Sequence, residues 1–259
     1  MRLDKYLSDM GVATRSESKK IIKAGRITIG DAVITDPAFH VSESDAIFLD
    51  GTSLSYQEHI YYMLNKPQGV ITATKDNSRK TILDLINGSD RIRELFPVGR
   101  LDKDTEGLLL ITDDGALAHE MLSPKKHVDK TYRAIVTGIM TENDVKTFGD
   151  GMEIDGGEHC LPALLNIVST IVLSSVSDEI KTKFPPKTLS KLRTDEDLCE
   201  IEITIREGKY HQIKRMCKCL GHEVLYLKRL TMGGLSLDES LPLGAYRPLT
   251  DDEISILKS

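Results

Sequence analysis

The chain is 259 residues long, 40% apolar and 29% charged, with a formal net charge of −6. That length can bury a good core in one or two domains, so a soluble globular protein is expected. Met1-Arg2-Leu3-Asp4 opens without an apolar signal core, and the most apolar run, near Leu164 to Val176, is interrupted by Asn166, Ser169, Thr170, Ser174 and Ser175, which speaks against export and against a membrane span.

The net charge conceals two basic islands. Residues 1–30 carry seven basic side chains (Arg2, Lys5, Arg15, Lys19, Lys20, Lys23 and Arg26) against Asp4, Asp9 and Glu17. Residues 206–230 carry another seven against Glu207 and Glu223, on a chain that is otherwise acidic. Each island is either a solvated face or a place where a polyanion touches. The first has a readable shape. Leu3, Tyr6, Leu7 and Met10 follow i, i+3, i+4, i+7 spacing and predict a short helix ended by Gly11. Thr14 and Glu17 make a capping box for a second helix that Gly25 closes, and ITIGDAVI alternates around Gly30-Asp31 as a hairpin. The run MRLDKYLSDMGVATRSESKKIIKAGRITIGDAVI resembles an S4 RNA-binding domain, which implies that the seven basic residues contact RNA.

Gly51 to Glu58, polar and turn-rich, is expected to link this unit (1–56) to a second domain (57–259). In HIYYMLNKPQGVITAT, Tyr61 to Leu64 predict a strand, Asn65-Lys66-Pro67 a break in the ladder, and Val70-Ile71 its resumption. Ile82 to Ile86 and Ile92 to Leu95 read as short helices. Leu108 to Ile111 reads as a buried strand, with Asp113-Asp114-Gly115 turning into a helix from Ala116 to Leu122. That gives Asp113 and Asp114 ordinary duties and leaves Asp102, in PVGRLDKDTEGLLLITDDG, without one. KTYRAIVTG predicts a strand and Thr141 to Phe148 a capped helix, while Ser174 to Leu198, with Pro185-Pro186, reads as a polar inserted excursion that is mobile in part. CEIEITIREG alternates as a strand, KYHQIKRMCKCLGH is a basic helix ending at Gly221, and VLYLKRL is a last strong strand. Cys160, Cys199, Cys217 and Cys219 form no CxxC pair and have no suitably spaced histidine partner, so reduced thiols are expected and a zinc site is not. Strands and helices mix without βαβ repetition, which favours α+β over a doubly wound sheet, and no Gly-rich phosphate loop calls for a nucleotide cofactor.

GRLDKDTEG, KTY, GKYHQIKRM, NKPQG and the closing GAYRPLT together resemble, in order and spacing, the RsuA-type family of bacterial ribosomal RNA pseudouridine synthases. The resemblance implies an S4-like domain followed by a mixed, mainly antiparallel sheet with flanking helices and a central cleft. It implies an enzyme that isomerises uridine to pseudouridine with neither metal nor cofactor. It makes Asp102 the carboxylate acting at the ribose, as nucleophile or as base, and Lys214 the cation beside it, with Arg215 next in line for that role or for phosphate. Tyr132 is implied to stack on the base, Arg100 to help flip the nucleotide, and Leu101 and His211 to contact the substrate. The bland readings are an Asx turn for Asp102, core packing for Tyr132 and a solvated helix face for Lys214 and Arg215; Asp104, His119, His127 and His211 itself are taken as structural or RNA-proximal. The resemblance is closest to the synthase acting on 16S RNA, with 23S RNA as the alternative. The expected partner is ribosomal RNA or an assembling ribosomal subunit, met in the cytoplasm by a monomer. A metal-dependent nuclease using Asp102, Asp104, Asp113 and Asp114, and a non-catalytic S4-domain assembly factor, are the other classes.

Overall fold

Leu3, Tyr6 and Leu7 are buried along one side of helix α1 (Leu3–Asp9), which ends before Gly11. Helix α2 (Arg15–Lys23) starts at the Thr14–Glu17 capping box, in which each residue's side chain takes up the other's orphan N–H, an arrangement that contributes about 1 kcal/mol. The hairpin of β1 (Ile27–Ile29) and β2 (Ala32–Ile34) turns at Gly30-Asp31 as expected. Strands β3 (Ile47–Leu49) and β4 (Thr52–Leu54) complete a sheet ordered β2-β1-β3-β4 over a core of Leu3, Tyr6, Leu7, Ile22, Ile27, Val41 and Ile47. The expected linker therefore begins as structure: Asp50 and Gly51, both at positive φ, make the β3–β4 turn, as Asp-Gly pairs favour.

The computed structural model describes residues 1–42, 44–54, 59–91 and 93–258, so Ser55 to Glu58, the rest of that linker, lie outside the described residues. The chain divides into two units, Met1–Ile60 with Ile86–Leu95, and Tyr61–Leu85 with Phe96–Ser259. The return of Ile86–Leu95 to the first unit was not foreseen; there Arg93 donates through Nε to the Asp9 carbonyl. The helix expected from Ile92 to Leu95 is not seen: Ile92 is outside the described residues and Arg93, Glu94 and Leu95 are not helical.

The second unit is built on a nine-stranded sheet. Its strands are β5 (Tyr61–Lys66), β6 (Phe96–Pro97), β7 (Glu106–Thr112), β8 (Lys130–Thr137), β11 (Leu164–Val172), β12 (Asp197–Ile205), β13 (Val224–Met232), β14 (Leu235–Ser236) and β15 (Tyr246–Pro248), while β9 (Met152–Ile154) and β10 (Glu158–Cys160) form a separate ribbon. The main path runs β11-β12-β8-β13-β7-β5-β15, antiparallel except for the β13–β7 pair, where Arg229 lies beside Gly107. Gly107 is required there: a Cβ would collide with the Arg229 backbone. Around the sheet lie α3 (Gly115–Leu122), capped by Asp114, α4 (Glu142–Asp150), capped by Thr141, and α5 (Asp178–Lys181), α6 (Pro186–Leu189), α7 (Gln212–Cys219) and α8 (Asp251–Lys258). This is the expected mixed, mainly antiparallel α+β sheet.

Two expectations for this second unit fail. The ladder does not break at Asn65: β5 continues through Lys66, paired to Leu108 and Gly107, whereas Val70-Ile71 is no strand, with Ile71 making only an isolated bridge to Thr81. Nor is Ser174 to Leu198 a loose excursion. Leu173, Val176 and Phe184 are buried against Ile135, Leu198, Leu225 and Tyr226, with Ile180, Leu189 and Leu192 packed around them. Short turns each spend one apolar anchor on the sheet, so the stretch is polar in composition and still packed.

Candidate active site

The PVGRLDKDTEG segment leaves β6 and enters β7 through a loop whose backbone is held from one side by NKPQGVITAT. Lys66, at the end of β5 and fully buried, donates from Nζ to the carbonyls of Pro67, Asp102 and Thr105, each at 3.0 Å. Gly69, at φ 85°, donates its N–H to the Lys103 carbonyl at 2.8 Å. The Thr72 hydroxyl donates to the Leu101 carbonyl at 2.7 Å and accepts from the Leu101 N–H at 3.2 Å. The residues that read as a ladder break are therefore a cradle. Burial pulls the Lys66 ammonium down to about 8, against the charges of Asp104, Asp102 and Glu106, which favour its protonated form.

The loop presents the Asp102 carboxylate to α7. Lys214 Nζ lies 3.1 Å from Asp102 Oδ2, and His211 Nε2 lies 3.5 Å from Oδ1. Lys214 also pairs with Asp104; burial opposes that second carboxylate, but the Lys214 hydrogen bond and charge outweigh it and hold Asp104 below the ordinary range. Asp102 opens on a cleft of about 910 Å³, shared with Arg100, Leu101, Tyr132 and His211. Seven lysines and arginines line it against two carboxylates, Asp102 and Glu207. Such a cleft favours a polyanionic ligand. Tyr132, 7% exposed, stands on β8 opposite Arg229 of β13.

A model of RNA pseudouridylate synthases matches residues 60–218 and a model of the S4 domain matches residues 1–47. The chain belongs to the RNA pseudouridylate synthase family. It is 43% identical over 99% of its length to an uncharacterised RNA pseudouridine synthase, YtzG, of Bacillus subtilis, covering 98% of that protein. It is 36% identical over 98% of its length to the ribosomal small subunit pseudouridine synthase A of Vibrio cholerae, again covering 98% of it. A crystal structure of a pseudouridylate synthase superposes with a TM-score of 0.62 at 34% identity, with 99% of each chain covered.

In the synthase, Asp102, Lys214, Tyr132, Arg100, Leu101 and His211 come together around one cleft. Arg215 does not join them: its guanidinium pairs with Asp155 and Glu158, and Nη1 also donates to the Tyr210 carbonyl. It pins the loop before α7 and is spent as a free phosphate cation. Nor do Asp113 and Asp114 converge on Asp102. The Asp114 carboxylate caps α3 through the Leu117 N–H and accepts the Tyr61 hydroxyl at 2.7 Å. Among the described residues, no three His, Cys, Asp or Glu side chains gather into a metal-holding group.

Residues without an assigned role also converge here. Glu106, buried beside the Asp102 loop, accepts from the Tyr226 hydroxyl at 2.8 Å and pairs with Lys183 of the 173–196 stretch at 3.2 Å, tying that stretch to the loop. Lys130 and Arg229, both buried, line the cleft beside Tyr132. Burial, with the Arg229 charge, lowers the Lys130 pKa. The signal for these residues was present as charged residues within apolar strands, a pattern that burial makes costly unless each has a task.

Proposed function

We propose that the synthase acts on ribosomal RNA, converting a uridine of the small-subunit 16S RNA to pseudouridine, with Asp102 as the carboxylate at the reacting ribose. The observation that carries this reading is the Asp102 carboxylate, ion-paired to Lys214 at 3.1 Å, within a cationic cleft that also holds Tyr132. The isomerisation breaks the N1–C1′ bond, turns the uracil, joins C5 to C1′, releases the C5 proton and protonates the freed N1, so it is balanced without oxidant or energy source. Asp102 attacks C1′ or removes a ribose proton to free the uracil, and Lys214 offsets the desolvation of its charge. Tyr132 supplies an aromatic face for the turned base, and Arg100, exposed at the cleft, takes part in extruding it. The relatives named for the small subunit support the 16S assignment. The reaction runs in the cytoplasm on a monomer; among the described residues no helix is long and apolar enough to cross a membrane. Mapping pseudouridine in the rRNA of a strain lacking this protein tests the substrate: one 16S position is expected to revert to uridine, and a missing 23S position instead would move the assignment to the large subunit.

Residues 1–56 serve as the RNA anchor and 57–259 as the catalytic domain. Within the first unit, Arg2 and Arg15 pair with buried Asp4, Lys5 with Asp9 and Arg26 with Asp50. Lys19, Lys20 and Lys23 extend from α2 into solvent with no ion-pair partner among the described residues. These three lysines are the phosphate contacts of the anchor. Replacing all three by glutamine is expected to flatten the slope of log affinity against log salt by about 2 to 3, since each lost contact removes roughly 0.7–0.9. Binding titrations at several salt concentrations check this, and an unchanged slope would remove α2 from the RNA interface.

A further inference from the structure

Tyr210 is 76% exposed, more than any other large apolar side chain among the described residues. It is not a loose surface residue. Its inner face stacks on the His211 ring, with centroids 3.9 Å apart and planes inclined by 18°. His211 in turn faces Asp102 at 3.5 Å. The backbone beneath this pair is held in place: His211 adopts the left-handed conformation at φ 48°, ψ 35°, which a non-glycine residue enters only against steric strain. The Tyr210 carbonyl accepts from Arg215 Nη1 at 3.2 Å, and Arg215 is itself anchored on Asp155 and Glu158. Strain and clamping thus hold an aromatic ring whose outer face meets solvent, and no hydrogen bond to its hydroxyl is seen among the described residues. The ring lies along the cationic cleft with Arg206 and Lys209.

We infer that Tyr210 is a stacking platform for the nucleobase next to the target uridine. This rests on the reading of the cleft as the RNA site. Tyr132 is nearly buried and serves the extruded base, whereas the outward ring of Tyr210 stacks on His211 at another part of the cleft wall and is left for a different base. Extruding the target strips its neighbour of a stacking partner. Tyr210 replaces that partner, giving the order neighbouring base, Tyr210, His211, Asp102. The contact involves a π-face alone, so it tolerates any base and adds no phosphate charge.

The probe is the rRNA fragment, of either subunit, in which the unaltered protein installs pseudouridine; that conversion keeps failure of the substrate reading separate from failure of this inference. Fragments carry 2-aminopurine on the 5′ or the 3′ side of the target. Quenching is expected at one of the two positions on binding, preserved in Tyr210→Phe and lost in Tyr210→Leu. Tyr210→Leu should also weaken binding about tenfold, within the roughly 5- to 150-fold expected for one stacked base, by the same factor at every salt concentration. Tyr210→Leu binding as tightly as the unaltered protein, Tyr210→Phe failing alongside it, or absence of quenching at both positions would each overturn the inference. The ring is exposed and the Arg215 bond is to the backbone, so these variants leave the loop's anchor in place.

Discussion

Asp102→Asn is expected to bind RNA within a few-fold of the unaltered protein and to form pseudouridine only at background. Asparagine keeps the size of the side chain and an oxygen facing Lys214 and His211, and Lys214 retains its second partner in Asp104. What is lost is the negative charge. An amide can neither attack C1′ nor hold a ribose proton, so the loss in single-turnover rate should be about four orders of magnitude or more. Binding should hold because the cleft becomes more cationic. Single-turnover conversion beside a filter-binding titration makes the comparison, and near-normal product from this variant would place the chemistry on another group.

Lys66→Met should be the next most damaging change, although Lys66 touches no substrate in this reading. Methionine matches the length of the stem but leaves the carbonyls of Pro67, Asp102 and Thr105 without their donor in the interior. Each unpaired carbonyl costs about 1–3 kcal/mol, so the loop will shift to find other partners. A displacement of the Asp102 carboxylate by about 1 Å suffices for a loss near 100-fold in rate. The expected result is a lower melting temperature, a single-turnover rate reduced about 100-fold or more, and RNA affinity largely kept. A titration signature separates this role from plain packing. The folded Lys66 value, about 8, lies below its ordinary 10.5, so between those values the unfolded chain holds more protons and Lys66 makes stability rise with pH. Denaturation midpoints measured from pH 7 to pH 10.5 should lose that component of the slope in Lys66→Met, and identical slopes would mean that the ammonium is not desolvated as the geometry requires.

Most local elements were legible because their signals are local. The Thr14–Glu17 box, the Gly30-Asp31 hairpin and the alternation from Ile201 to Ile205 each depend on spacing within a few residues, and each is found where it was read, whereas the basic helix read from Lys209 begins only at Gln212, after the left-handed turn at His211. The failures share one cause. Asn65 and Lys66 looked like ladder breakers because lysine in a strand normally ends burial; here Nζ finds three carbonyls about 36 to 39 positions away or next door. Ser174 to Leu198 looked mobile because its apolar residues are sparse, and only the sheet face formed by Ile135, Leu225 and Tyr226 shows that each has a socket.

The order of motifs by itself determined the class of protein, the S4-like start, the α+β synthase domain and the one aspartate that turn chemistry did not explain. Which cation meets that aspartate was implied only by resemblance, and folding decided it between two neighbours in HQIKRM: the step of about 100° between consecutive helical residues sends Lys214 to Asp102 and Arg215 to Asp155 and Glu158. The cradle of Lys66, Gly69 and Thr72, the link from Lys183 to Glu106 and the outward ring of Tyr210 belong wholly to the tertiary structure. Each joins groups distant in sequence or depends on a backbone angle set by packing, and local spacing carries no record of either.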